Sequence, residues 1–150
     1  MKITWQSKHF NKLSSEELYQ ILNLRLAVFV VEQNCSYQDL DGKDSKSFHL
    51  TGLDENLDLV AYARILPAGA AFNEVSIGRV CTSKNARGTG AGLALMKNAL
   101  HLITEQFGKT PVRIGAQRYL TKFYSGFGFE IASEEYLEDN ILHIEMLLIS

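Results

Sequence analysis

A mixed α/β sheet, with antiparallel pairs at both ends and one parallel crossover in the middle, is what this sequence predicts. Three features point to it. Alternating apolar runs near each end of the chain are joined by short turn signals, the pattern of antiparallel strands. In the middle, the strand-like run 75–81 leads into a glycine-rich turn, a helical run over 93–107 and a further apolar run from Val112, which makes a βαβ crossover. Near the N-terminus, Ser14-Ser15-Glu16-Glu17 carries the signature of a helix start.

Residues 2–6 alternate and read as the first strand. Ser14 can accept the N–H of Glu17 while Glu17 reaches back, and Leu13 and Leu18 take the flanking staple positions. Leu18, Ile21, Leu22, Arg25, Val28 and Phe29 continue at helical spacing. Residues 34–47 are polar, with a turn at Asp41-Gly42. Residues 48–53 and 57–66 form a hairpin across Asp54-Glu55-Asn56. Residues 67–73 are a loop, and 74–82 the central strand. The helix over 93–107 carries its apolar stripe on Leu93, Met96, Leu100, Ile103 and Phe107. Gly108 stops it, with Pro111 beyond. Residues 112–116 form a short strand, and 119–125 a short helix broken by Gly126 and Gly128. Residues 129–136 and 141–149 form a last hairpin about Asp139-Asn140.

At 150 residues the chain reads as a single domain over 1–150, long enough to bury a core. Hydrophobic residues make up 46% and charged residues 21%, and the net charge is −2, which suits a globular protein without a nucleic-acid or anionic-membrane partner. No apolar run reaches membrane-spanning length, and the N-terminus lacks the apolar core of a signal peptide. Cys35 and Cys81 make no metal spacing, so no metal is expected, and a reduced, cytoplasmic setting is the simplest reading. A homodimer is compatible with the sequence.

The chemistry concentrates at Arg87-Gly88-Thr89-Gly90-Ala91-Gly92. Glycines let backbone N–H groups approach a ligand closely, and a helix N-terminus offers unpaired N–H groups at the positive end of its dipole. Together they suit phosphate oxygens, with Arg87 adding charge. Leu93 after Gly92 excludes a nucleotide P-loop, and glycines at 88, 90 and 92 have the wrong spacing for a dinucleotide turn. A plain flexible connection is the alternative.

This arrangement resembles the Arg/Gln-x-x-Gly-x-Gly/Ala signature of the GNAT N-acetyltransferases, with Arg87, Gly90 and Gly92 in its three specified positions. Ile77-Gly78-Arg79-Val80 resembles the strand entering that motif, and the run from Phe123 to Phe129 the family's F-Y-x-x-F-G-F segment. The runs beginning at Leu24, Tyr37, Ala61 and Tyr136 are similar to the ElaA-type branch. The resemblance implies the acyl-CoA N-acyltransferase fold, a mostly antiparallel sheet flanked by helices and splayed at the central strand. It implies acetyl-CoA as acyl donor, its pyrophosphate on Arg87, Gly88, Thr89, Gly90, Ala91 and Gly92, and its pantetheine arm along the backbone of Val80, Cys81 and Thr82. Gln117 joins the cofactor-binding set. Tyr124 is implied as the general acid, since a phenol stays protonated at neutral pH and can donate to a departing thiolate. Packing is the alternative role for that ring.

Candidate bases are Glu32, Glu74, Glu145 and His143, with His143 preferred for imidazole chemistry. Glu74 shares strand parity with Ser76, Gly78, Val80 and Thr82, which would place it on the cofactor side. Water-mediated deprotonation without a single base stays open. Cys81, a lone cysteine in an apolar strand, reads as inert filling rather than a nucleophile. His9, His49 and His101 read as structural or surface residues. Asp39, Asp41 and Asp44 form an acidic patch that could attract a cationic amine, or be solvated surface. The expected function is therefore acetyl transfer to a primary amine, on a small molecule or peptide, by direct transfer in a ternary complex. Two alternatives are a non-catalytic acyl-CoA-binding or regulatory module and an acyl-homoserine-lactone synthase, whose N-terminal pattern Leu24-Arg25, Val28-Phe29, Asp39, Asp41 and Arg64 faintly resemble.

Overall fold

The computed structural model describes residues 1–149. The strands are β1 (Thr4–His9), β2 (Phe48–Leu53), β3 (Leu59–Leu66), β4 (Val75–Thr82), β5 (Val112–Gln117), β6 (Glu130–Ile131), β7 (Tyr136–Glu138) and β8 (Ile141–Leu148). They form one sheet in the order β1-β2-β3-β4-β5-β8-β6, with β7 also on β8. Every pairing is antiparallel except β4–β5. The helices are α1 (Ser15–Arg25), α2 (Ala91–Phe107) and α3 (Thr121–Ser125).

α1 starts on the predicted capping box: Glu17 N–H donates to Ser14 Oγ at 3.1 Å and Ser14 N–H to Glu17 Oε1 at 2.8 Å. The helix then widens into a π-helical turn over Leu26–Glu32. Such turns swing side chains off the regular stripe. On one face of the sheet, Ile21, Leu24 and Val28 pack against Tyr62 and Cys81. On the other, α2 and α3 bury Leu95, Met96, Ala99, Ile103 and Tyr124 against the sheet.

Three local expectations are corrected. The buried stripe of α2 is Leu95, Met96, Ala99, Leu102 and Ile103, and Leu93 is 48% exposed. Met96 and Ile103 of the expected stripe are buried and Leu100 and Phe107 pack partly buried against the same core, so the contact face is the expected one widened toward Leu95, Ala99 and Leu102 and turned away from Leu93. Leu57 lies in the β2–β3 turn with φ +65°, where Asp54 Oδ1 accepts N–H bonds from Asn56 and Asp58 at 2.9 and 3.0 Å. The strand expected over 129–136 is split into β6 and β7. In the gap Ser133 Oγ accepts the Glu145 N–H at 2.9 Å, which keeps β8 satisfied without a strand beside it. The β7–β8 turn itself is as expected: Asp139 and Asn140 carry φ +50° and +67°, the pattern of a two-residue hairpin turn.

Two features of β4 open the molecule. β4 pairs with β5 only at Val75↔Val112 and Ser76↔Arg113, after which the two strands part. The β3–β4 register also shifts between Tyr62↔Cys81 and Arg64↔Gly78, so β4 carries a bulge, and Arg79 within it has φ +52°. The bulge reverses the strand's parity. Ile77 and Val80 both pack on the α2 side while Cys81 packs on the α1 side. The alternation that grouped Glu74 with Val80 and Thr82 therefore ends at Gly78.

Candidate functional site

The parted strands bound a cleft of about 840 Å³. The π-helical turn supplies Phe29 and Glu32 to its wall, β4 supplies Gly78 to Thr82, and β5, α3 and β8 supply Gln117, Tyr124 and His143. At one mouth stands the glycine turn. Gly88 and Gly90 have φ +76° and +85°, a left-handed backbone that favours glycine. A Cβ built on either meets no protein atom within 4 Å, so the space beside the turn is open. The Thr89 hydroxyl donates to the Ala86 carbonyl, which turns it inward. The Ala91 side chain is buried beside Val60 and Ala86. Ala91 thus presents backbone, not side chain, at the mouth. The first helical bond of α2 runs from Ala94 N–H to Gly90 carbonyl. The N–H groups of Ala91, Gly92 and Leu93 therefore have no acceptor within the helix. Arg87 stands beside them, bonded to Glu32 at 2.7 Å and to the Thr82 carbonyl at 3.0 Å.

The edge of β4 facing the split carries no partner from β5 beyond Ser76. Val80, Cys81 and Thr82 all lie on that stretch and line the cleft. The Cys81 thiol is buried, and burial pushes its pKa up to about 12. Tyr124 rises from α3 with its ring edge-on to Phe123 and Phe129. Burial, with a smaller contribution from Tyr119, pushes its phenol up to about 12. Gln117 lines the cleft in a reciprocal amide pair with Gln33, at 3.3 and 3.4 Å.

The four candidate bases separate clearly. Glu32 is paired with Arg87, and that hydrogen bond is the main reason its pKa is lowered. Glu74 takes two bonds from Arg113, at 2.9 and 3.2 Å, which hold it below the usual carboxylate range. Glu145 accepts from the same Arg113 at 3.0 Å. His143 alone carries no arginine. Its Nδ1 lies 2.7 Å from the Ile141 carbonyl, which can only accept, so Nδ1 carries a proton, and the tautomer this selects for a neutral ring leaves the lone pair on Nε2. The ring stacks on Tyr136, and Nε2 is 3.6 Å from Glu138 Oε2, beyond a hydrogen bond.

The acidic patch is neither a free amine site nor solvated surface. Asp39 accepts from Arg25 and Arg79 at 2.9 Å each and from Tyr37 at 2.6 Å. Asp44 accepts from Arg25 at 2.7 Å and from Arg64 at 3.0 Å. Asp41 takes two bonds from Arg64, at 2.8 and 2.9 Å. Three arginines thus neutralise three aspartates behind the cleft and anchor the bulge through Arg79. His49, likewise buried, joins Tyr62 to the Asp44 carbonyl at 2.7 and 2.9 Å and is structural. The sequence reading missed Arg64, Arg79, Phe72 and Tyr136 as cleft residues. Their strands were legible, but no local pattern tells which residue faces a gap between two strands.

Comparison with known proteins fits this geometry. Residues 11–150 match the family model described as an acetyltransferase (GNAT) domain. Protein ElaA of Escherichia coli strain K12 is 47% identical over 146 residues, covering 96% of this chain and 95% of ElaA. The crystal structure of E. coli ElaA superposes with a TM-score of 0.91 at 45% identity, over 98% of this chain and 99% of that one. An acyl-CoA N-acyltransferase from Pseudomonas aeruginosa gives 0.93 at 42% identity, with the same coverage. A CoA-dependent acyl-homoserine lactone synthase, BjaI, solved with SAM and isopentyl-CoA, shares the fold alone: TM-score 0.80 at 16% identity, over 99% of this chain and 84% of that one. No helix among the described residues is long and apolar enough to cross a membrane. A splayed sheet that opens on a glycine turn, matched across nearly the whole chain by these relatives, places the protein in the GNAT acetyltransferase family, in its ElaA-type branch, with the fold of an acyl-CoA-dependent acyltransferase.

Proposed function

We propose that the protein transfers an acetyl group from acetyl-CoA to a primary amine of a small molecule or peptide, with both substrates bound at once. One observation carries the reading: the cleft that begins at the glycine turn has both Tyr124 and His143 in its walls. A pure acyl-CoA binder needs the turn but neither of these groups. A cytoplasmic setting fits the free thiols at Cys35 and Cys81. The test is release of coenzyme A thiol when acetyl-CoA is offered with a panel of primary amines. Acetyl-CoA binding without turnover on any of them would leave a binding module.

When bound, acetyl-CoA supplies an acetyl group activated as a thioester, and each chain element has a part in using it. The N–H groups of Ala91, Gly92 and Leu93 and the Arg87 guanidinium hold the pyrophosphate. The unpaired edge of β4 from Val80 to Thr82 accepts the pantetheine arm as an added strand. The bulge leaves backbone donors free of the ladder, where charge develops on the thioester oxygen. His143 Nε2 takes a proton from the amine, and the Tyr124 hydroxyl returns one to the departing sulfur.

Arg87→Ala is expected to weaken coenzyme A binding by about 1.5 kcal/mol, roughly tenfold. This is the low end for a charge-assisted contact, because Arg87 must first leave Glu32. Gly90→Val is expected to cost more: it forces a β-branched residue to positive φ and fills the open space beside the turn. Calorimetry on both variants checks this, and unchanged affinity in both would remove the turn from the binding site.

The buried thiol predicts direct transfer. Cys81→Ala is expected to cost on the order of 1 kcal/mol of stability and to leave turnover mostly intact. Initial-rate lines should intersect, whereas an acyl-enzyme gives parallel lines. Acetyl label found on Cys81 and transferable to amine would overturn direct transfer.

A further inference from the structure

Gly115 stands in the middle of β5, between Ile114 and Ala116, where its backbone does not call for glycine. Its φ lies outside the left-handed region, unlike that of Gly88 or Gly90. Glycine inside a strand weakens it, through chain entropy and the missing side chain, and marks a place where another group comes close. Here that group is Tyr136. A Cβ built on Gly115 would lie 2.9 Å from the Tyr136 hydroxyl oxygen, too close for such a pair, with Phe72 Cζ at 3.8 Å. The strand omits a side chain at the point where the Tyr136 phenol ends.

The sheet shows how Tyr136 gets there. It sits on β7 opposite His143 of β8. On its other side β8 pairs with β5, with Gln117 opposite His143 and Gly115 opposite Glu145. The Tyr136 side chain thus starts on one strand, crosses the next and ends over the third. On the way it covers His143: the two rings stack, with centroids 5.8 Å apart and planes 25° from parallel. Tyr136, His143 and Gly115 all line the cleft. The Ile141 carbonyl, 2.7 Å from Nδ1, fixes the tautomer, but one hydrogen bond leaves the imidazole free to tilt about it. Glu138 adds no second restraint, since its Oε2 is 3.6 Å from Nε2, beyond a hydrogen bond. The Tyr136 ring supplies that restraint, and it does so only while the phenol lies across β8 with its tip in the gap at Gly115.

We infer that Tyr136 is a positioning residue for His143 and that residue 115 is glycine to let it act. The ring holds the imidazole in the plane from which Nε2 takes the amine proton, and the phenol hydroxyl has no part in this. The role rests on the amine acetylation through His143 proposed above.

Four variants test it in steady-state assays with acetyl-CoA and an amine that turns over. Gly115→Ala puts a methyl group against the hydroxyl; the phenol, as the flexible partner, swings aside and uncovers His143. A base displaced by about 1 Å can cost on the order of 10²-fold, so kcat is expected to fall by about tenfold or more, with KM for both substrates within about threefold of wild type. Tyr136→Phe keeps the ring and is expected to leave kcat near wild type. In the double variant the methyl group has no oxygen to meet, so most of the lost kcat should return. Damage to β5 itself would not be undone by removing one oxygen from β7. Wild-type kcat in Gly115→Ala, or a double variant no faster than Gly115→Ala, overturns the positioning role while acetylation through His143 stands. A tenfold loss in Tyr136→Phe alone also overturns it, because the work then falls to the hydroxyl. His143→Gln, the fourth variant, measures the underlying reading: a near-normal rate removes His143 as the base and this role with it, as does wild-type protein that acetylates no amine.

Discussion

Tyr124→Phe is expected to keep acetyl-CoA affinity and to lower turnover by about 10²–10⁴, the range for a positioned general acid. The substitution removes one oxygen and leaves the ring where Phe123 and Phe129 meet it edge-on, so packing is preserved. Tyr124 lines the cleft, and burial keeps its hydroxyl protonated far above neutral pH. Sulfur gains negative charge and accepting power only as the C–S bond breaks, so the hydroxyl's contact with it strengthens only in the transition state. The loss should therefore appear in kcat and kcat/KM alike, as for an interaction made only in the transition state. Steady-state rates with an amine that turns over cleanly decide the matter. A near-normal rate would make Tyr124 a packing residue and leave the sulfur to be protonated by solvent.

Much of this was legible in the sequence because it is local. The Ser14–Glu17 capping box, the strand–turn–helix around Arg87 and the two-residue turn at Asp139-Asn140 are each written within a few residues, and the structure has all three. What failed was non-local. The bulge at Arg79 follows from how β3 and β4 pair, and it inverted the side assignment of every later residue in the strand. The α2 stripe, read from helical spacing, holds at Met96, Leu100, Ile103 and Phe107 and misses only at Leu93, because the sheet sets where the contact face ends. Asp39, Asp41 and Asp44 looked like a patch because their partners are 14 to 40 residues away. The same distance hid which base was free. Glu32, Glu74, Glu145 and His143 are equivalent candidates in a string of letters, and only the arginines folded against three of them tell them apart.

Arg25→Ala is expected to destabilise the fold by about 3 kcal/mol, a large share of the usual 5–15 kcal/mol. Arg25 is fully buried and bonds Asp39 and Asp44 at once. Removing it leaves two buried carboxylates short of a partner, which is what makes breaking a buried pair costly. The value sits at the low end of the 3–5 kcal/mol range because Arg79 still reaches Asp39 and Arg64 still reaches Asp44. Acid should expose the same network. Burial alone would raise Asp41 and Asp44, but the hydrogen bonds and charges around them together outweigh it, from Arg64, Arg79 and the Lys43 N–H on Asp41 and from Arg25 and Arg64 on Asp44, and hold both below the usual range. Between the folded and unfolded pKa values the unfolded chain binds more protons, so stability rises with pH. The contribution is whole above about pH 4, the unfolded carboxylate value, and is lost as pH falls toward the folded values. Urea unfolding at stepped pH should show this acid limb in the wild type and a shallower one in Arg25→Ala, where Asp44 has lost its strongest donor. A variant within about 1 kcal/mol of wild type at neutral pH would mean that the remaining arginines and water satisfy both aspartates. An equally steep acid limb in both proteins would assign the acid sensitivity to other carboxylates. The network also fixes Arg79 at its positive φ, so a variant that folds but loses turnover would tie the ion pairs to the shape of the bulge and, through it, to the cleft.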